Sequence, residues 1–327
     1  MSINYCEKER VFTLQTQNAT YQMIVDSHSY LLHCYYGAKI ERQNLSYCIQ
    51  PQDRGFAANP PDAAGDRTLS PDTLPQEYST FGVGDFRESC LDVRDKNGGV
   101  AADLRYGSYR IYPGKKPLNG LPAAYGNEKD VDTLEIDLRD EVSGLVVTLR
   151  YSVFAQWDVI ARSAEIFNRG TGVLILERAL SCCLDEPVPA SRDILTFYGR
   201  HMGERNLERM PLRHGKFRVD SMRGASSPHY NPFVILCDSA ATETAGNCWA
   251  FSLVYSGNFI AQAEVDQIDT LRFVMGIAPQ NFSWELKPGA SFQAPEVLLC
   301  FSDYGFDALS NQLNGFQMQH VVRGKYL

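Results

Sequence analysis

The sequence lacks most of the features that mark a functional class. It has no run of basic residues and its formal charge is −8. Phosphate binding needs clustered Lys and Arg, so nucleic acid is not an expected partner. No apolar stretch approaches the roughly 20 residues of a membrane helix, and the N-terminal MSINYCEKER carries acids where a signal peptide has its apolar core. No membrane association is expected, and a cytoplasmic location is. The nine cysteines form an odd set with no C-x-x-C pair, which points to neither a zinc site nor a disulfide framework. Most, such as Cys237 and Cys300, lie in apolar strand patterns and read as small buried hydrophobes in a reducing compartment. No P-loop, H-E-x-x-H or G-x-S-x-G occurs, and Gly82-Val83-Gly84 lacks the third glycine and the helix of a dinucleotide fingerprint, so it reads as a tight turn. The six histidines are scattered. No metal site and no cofactor are expected.

Helical periodicity is also nearly absent; strand patterns dominate. Residues 11–16 and 21–25 read as an opening hairpin, followed by a strand at 30–36. Residues 90–94 turn at Asp95-Lys96-Asn97-Gly98 into an expected strand at about Val100 to Tyr106, Asn-Gly being a strong hairpin signal. Alternation is cleanest from 131 to 180, in four runs separated by Gly-containing turns, as an antiparallel meander requires. Further strands are expected at about 194–199, 216–221, 233–237, 249–255, 259–264, 269–276, 281–286 and 296–301. Only at 303–318 does the period change: Phe306, Leu309, Leu313 and Phe316 recur at helical spacing, with Asp303 as the expected N-cap. The fold class is all-β, a large antiparallel β-super-sandwich over residues 1–302 with a short C-terminal helical segment at 303–327.

One stretch interrupts this pattern, Asp53 to Glu88. Pro60, Pro61, Pro71 and Pro75 cannot sit inside a central strand. Leu69, Leu74, Tyr78, Phe81 and Phe86 give it enough apolar weight to pack, so an ordered functional loop is expected rather than a disordered one. Its carboxylates, Asp53, Asp62, Asp66, Asp72, Glu77 and Asp85, could serve glycoside hydrolysis if two faced each other across roughly 5–10 Å, but spacing alone nominates no pair. Phe56, Tyr78, Phe81, Phe86 and Tyr125 suit stacking on a sugar. The mixed-charge stretch Arg200 to Arg209 reads as a polar site, an interface or a salt-bridged loop.

Several ordered motifs carry a resemblance: PDTLPQEYSTFGVGDFRE (71–88), KPLNGLPAAYGNE (116–128), ERALSCCLD (177–185), MRGASSPHYNPF (222–233), LVYSGNFIAQAEVDQ (253–267), the stretch from Met275 to Phe306, and the terminal RGKYL. Together they resemble the N-terminal β-sandwich of bacterial α-galactosidases of glycoside hydrolase family 36, over essentially the whole chain. In that family the sandwich precedes a (β/α)8 barrel that carries two catalytic aspartates. The resemblance implies that residues 303–327 are a helical connector towards that barrel, that this chain holds no catalytic residue, and that alone it is inactive.

It further implies a homotetramer in which the sandwich reaches a neighbouring subunit's pocket. An aspartate and an arginine of the loop approach the galactose there, and by position these fall on Asp53 and Arg67. A carboxylate accepts from sugar hydroxyls, and a guanidinium offers a planar fork of donors. The expected partners are an α-galactoside sugar, the chain's own barrel and neighbouring subunits. The family's F-S-P-N-P is Phe56-Ala57-Ala58-Asn59-Pro60 here, the loop of this chain is one residue longer before Asp66-Arg67, and the histidine of S-S-H-x-x-N-P-F stands one place late, at His229. The alternative is a stand-alone carbohydrate-binding module. A third option, a lyase or mutarotase-like sugar enzyme, calls for a His or Glu pair converging on a cleft, and no such cluster is visible in the sequence.

Overall fold

The structure, a computed structural model, describes residues 2–41, 43–54, 59–63, 65–186, 191–226 and 228–324. In chain order the strands are β1 (Ile3–Cys6), β2 (Val11–Gln15), β3 (Ala19–Val25), β4 (Leu31–Ala38), β5 (Leu91–Asp95), β6 (Arg105–Pro113) and β7 (Asp132–Asp140). Then come β8 (Leu145–Phe154), β9 (Val159–Asn168), β10 (Leu174–Glu186), β11 (Arg192–Arg200), β12 (Gly203–Pro211), β13 (Gly215–Ser221) and β14 (Tyr230–Asp238). The last are β15 (Cys248–Val254), β16 (Phe259–Val265), β17 (Leu271–Ile277), β18 (Trp284–Leu286), β19 (Ser291–Gln293) and β20 (Glu296–Ser302), followed by the helix α1 (Gly305–His320).

They form three antiparallel sheets. The first is the meander β1-β2-β3-β4. The second runs β13-β16-β17-β10-β18, with β5 also on β10, and the third runs β12-β11-β14-β15-β20-β9-β8-β7-β6, with β19 beside β20 on β9. The all-β expectation holds, with α1 the one α-helix among the described residues.

Alternation along the strands of the large sheet sorts side chains into two cores. Val297, Leu299 and Phe301 face the central core with Phe12, Tyr21 and Phe273 from the other sheets. Their neighbours Leu298 and Cys300 face a second core with Leu309, Leu313 and Phe316 of α1. The same split holds in β14 and β15, where Leu236 and Phe251 face inwards while Cys237 and Cys248 lie under the helix. A strand buried on both faces reads as an unbroken apolar run, which is why EVLLCFS shows no polar alternation. The helix is held as its 3.6-residue period predicts, each buried Leu or Phe contributing roughly 1.5–3 kcal/mol.

Four expectations change. The reversal stops at Gly99, whose carbonyl accepts from Asp95 N–H (2.9 Å) while Gly98 N–H closes the turn on Asp95 O (3.0 Å); the expected strand from Val100 does not continue along β5, which instead pairs with β10. The turn chemistry fixed a reversal of the chain but not its partner. The four-run meander ends at β9, because β10 leaves the large sheet for the second one. Most of the 200–209 stretch lies in the edge strand β12, paired to β11 and exposed along most of its length, with Arg200 leading into it through a turn at 201–202, so charge there marks an unpaired edge rather than a loop. Asp303 does not cap α1. The first helical amides are satisfied by backbone carbonyls of the 242–246 loop (Phe306 N to Thr242 O, 3.1 Å; Asp307 N to Glu243 O, 2.9 Å).

Candidate functional site

The 53–88 loop is ordered where described, and polar anchors explain why. Glu77 is driven into the centre of the sandwich, fully buried. Its Oε1 accepts from the hydroxyls of Tyr21 and Tyr151 (both 2.6 Å) and pairs with the Arg162 guanidinium (2.9 Å). Its Oε2 meets His33 Nδ1 at 3.2 Å. Arg162, equally buried, also donates to the main-chain carbonyls of Glu77 and Cys183. A lone buried carboxylate would be driven neutral. Burial alone pushes the Glu77 carboxyl up, but Arg162, His33 and Tyr151 outweigh it and hold it below the usual glutamate range. The loop is thus pegged to β3, β4, β8 and β9 at one residue, and through Arg162 to β10.

A second clamp lies further along. Arg272 on β17 is held by Asp185 (2.8 and 2.7 Å) and by Asp85 of the loop (2.7 Å). Asp85 also takes Arg87 Nε (3.0 Å), and Arg87 donates to the carbonyls of Pro71 and Leu74 (2.9 and 2.7 Å). Gly82 turns the chain tightly with φ +93°, and a Cβ there would stand 2.6 Å from Ala101 Cα. The tight-turn reading of Gly82-Val83-Gly84 is correct.

From this fixed base the loop reaches outward. Arg54 pairs with Asp72 (2.9 Å), and Arg54 N–H bonds Arg67 O (3.1 Å), which brings the two ends of the tip together. There Asp53 and Arg67 form an ion pair, Nη2 to Oδ1 2.9 Å, with their side chains 59% and 64% exposed. The two sequence-nominated residues therefore meet, facing solvent. Phe56 of the same segment lies outside the described residues, as do Ala57, Ala58, Ser227 and the terminal Lys325-Tyr326-Leu327.

The other loop acids are committed singly. Asp62 pairs with Arg105 (3.1 Å), Asp66 caps Thr68, Asp72 holds Arg54, and Asp85 and Glu77 are locked in the clamps. Of the candidate stacking aromatics, Tyr78 is buried with its hydroxyl on Leu180 O (2.9 Å), and Tyr125 lies under the Arg323 guanidinium at 4.1 Å. Phe81 and Phe86 remain, 47% and 68% exposed.

The structure also brings together what the sequence kept apart. His33 on β4 and Glu186 at the end of β10 line one cavity of about 370 Å³, with Arg192, Asn247, Trp249 and Tyr35. Burial raises the Glu186 carboxyl above the usual range despite Arg192 beside it (3.2 Å). Residues 153 positions apart in sequence carried no common motif, and only the crossover of β10 joins them. Seven of the nine cysteines are buried and all nine are free thiols, as their strand patterns implied.

The family described as "Glycosyl hydrolase family 36 N-terminal domain" matches residues 29–287. Among curated relatives, the bifunctional alpha-galactosidase/sucrose kinase AgaSK of Mediterraneibacter gnavus is 46% identical over all of this chain and 35% of its own length. Alpha-galactosidase AgaA of Geobacillus stearothermophilus is 43% identical over all of this chain and 44% of its own. Among solved structures, the galactosidase domain of AgaSK superposes with a TM-score of 0.97 at 47% identity, covering 99% of this chain and 45% of that one. An AgaA variant in complex with raffinose gives 0.93 at 43% identity, covering 97% and 44%. The chain spans less than half the length of these relatives. With a family match over residues 29–287, which takes in Glu77, Arg162, Asp85, Arg87 and Arg272, this chain belongs to the glycosyl hydrolase family 36 N-terminal domains.

Proposed function

We propose that this chain is the non-catalytic N-terminal domain of a retaining α-galactosidase acting on terminal non-reducing α-D-galactose of raffinose-type oligosaccharides. In this reading it helps to assemble a cytoplasmic homotetramer, and its 53–88 loop completes the substrate pocket of a neighbouring subunit. The catalytic carboxylates of a retaining mechanism would lie in the part of the relatives' length that this chain does not span. Support comes from the relatives themselves, which are named alpha-galactosidases, with AgaA variants solved in complex with raffinose and stachyose.

The observation that carries the reading is the tip of the loop. An exposed Asp–Arg pair on a loop anchored by two buried clamps adds little to stability, because exposed ion pairs contribute about 0–1 kcal/mol. As a recognition device the arrangement is effective. Asp53 offers acceptors to sugar hydroxyls, Arg67 offers donors, and each holds the other's rotamer until substrate arrives. The clamps remove the ordering cost that a loose loop would meet on binding.

Two measurements test this. The purified 327-residue chain should show no turnover of an aryl α-galactoside; turnover above a mock preparation rejects the non-catalytic assignment. In the active α-galactosidase that contains this chain, Asp53→Ala and Arg67→Ala should raise KM for raffinose by roughly tenfold or more with the subunit still folded. An unchanged kcat/KM in both variants rejects the role of the pair.

A further inference from the structure

We propose that the cavity between β4 and the large sheet is a second, self-contained binding site for a neutral polyhydroxylated ligand the size of a monosaccharide. This site shares no residue with the Asp53–Arg67 pair and does not depend on the role given to the loop.

Its volume, about 370 Å³, lies at the small end of the range of ligand pockets, roughly 300–1,000 Å³. One part of the wall is apolar, formed by Leu184, Phe301 and Trp249. The other is polar and built rather than incidental. Arg192 bridges Glu186 (3.2 Å) and Asp238 (2.8 Å) and lies over the Trp249 ring at 4.4 Å. Trp249 Nε1 in turn donates to Tyr36 O of β4 (3.0 Å), which fixes the gap between the two sheets. His33 is oriented by Glu77 through Nδ1, so the central peg of the loop also sets this wall.

Glu186 gives the site its preference. Its side chain is mostly buried and its Oε2 has no hydrogen-bond partner among the described residues. An unpartnered buried acceptor is costly, and a donor that reaches it is rewarded with more than an ordinary hydrogen bond. Anions are disfavoured, since Glu186 and Asp238 repel them and Arg192 is already committed to both. A second cation would be placed beside the Arg192 guanidinium. An apolar ligand would leave Glu186 unsatisfied. A polyol offers neutral hydroxyl donors to Glu186 and an aliphatic face to the Trp249 and Phe301 side.

The test is titration of the 327-residue chain, by calorimetry, with D-galactose, methylguanidine and inorganic phosphate. Saturable binding of the sugar with Kd in the millimolar range, about −4 kcal/mol, is expected. Glu186→Leu should weaken it at least tenfold. Cys48→Phe, at a partly exposed lining position away from the Glu186–Arg192 pair, should weaken it as much by filling the space, and Asp53→Ala should leave it unchanged. Thermal melts establish that each variant is folded. Absence of saturation up to about 50 mM sugar, equal binding by wild type and both cavity variants, or binding of methylguanidine or phosphate in place of sugar overturns the proposal. Loss of binding in Asp53→Ala alone would place the sugar at the loop tip and likewise reject the cavity.

Discussion

Replacing Glu77 by Gln changes one atom in the middle of the protein and tests the central physical claim about the loop. Gln keeps the shape, and its carbonyl can still accept from Tyr21 and Tyr151. It removes the charge opposite Arg162, whose side chain has no exposure to water. Breaking a buried pair by removing one partner costs about 3–5 kcal/mol, since the remaining ion is buried uncompensated. Against a typical total of 5–15 kcal/mol this is a large share. In urea it should lower the unfolding midpoint by about 1–2 M at an unchanged slope of 2–3 kcal/mol/M. The pH dependence supplies an independent reading. The folded carboxyl lies below its ordinary value, so its contribution is whole above the usual glutamate range and is given up as pH falls through and below it. Wild-type stability should therefore fall towards acid more steeply than that of Glu77→Gln, and the two curves should converge. A loss below about 1 kcal/mol at neutral pH, or parallel pH curves, would refute the view that Glu77 is an ionised peg.

The remaining predictions concern the second clamp, the helix and the tip. Arg87→Met removes donors to Pro71 O, Leu74 O and Asp85, and limited proteolysis should then cut within 70–88 faster than it does in the wild-type chain. Phe316→Ala empties the centre of the second core and should cost about 3–5 kcal/mol, with amides of α1 losing hydrogen-exchange protection first. Gly305→Ala places a Cβ 2.3 Å from Thr242 O at φ +76°, and should destabilise by roughly 2–3 kcal/mol, read as a lowered Tm. Arg67→Ala should change stability by less than about 1 kcal/mol, because its pair is exposed; a larger loss in denaturant would make that pair structural.

Local sequence was enough to settle the all-β class, most strand positions, the helix with its buried Leu309, Leu313 and Phe316, and the packing of residues 69–88 of the loop onto the sandwich. These follow from local periodicity and from backbone limits such as proline, which act within a few residues and leave a pattern in the chain. Family resemblance nominated Asp53 and Arg67, though not their contact. Tertiary structure alone decided which strands pair: β5 with β10 rather than with its neighbour across Asn97-Gly98, and β10 with the second sheet rather than with β9. It alone made an edge strand of the charged 203–211 segment, capped α1 with carbonyls of another loop, and set Glu77 opposite Arg162 and His33 beside Glu186. Such contacts join residues tens to more than a hundred positions apart. Their energies come from burial and charge compensation in a shared interior, quantities that do not exist until the chain is folded.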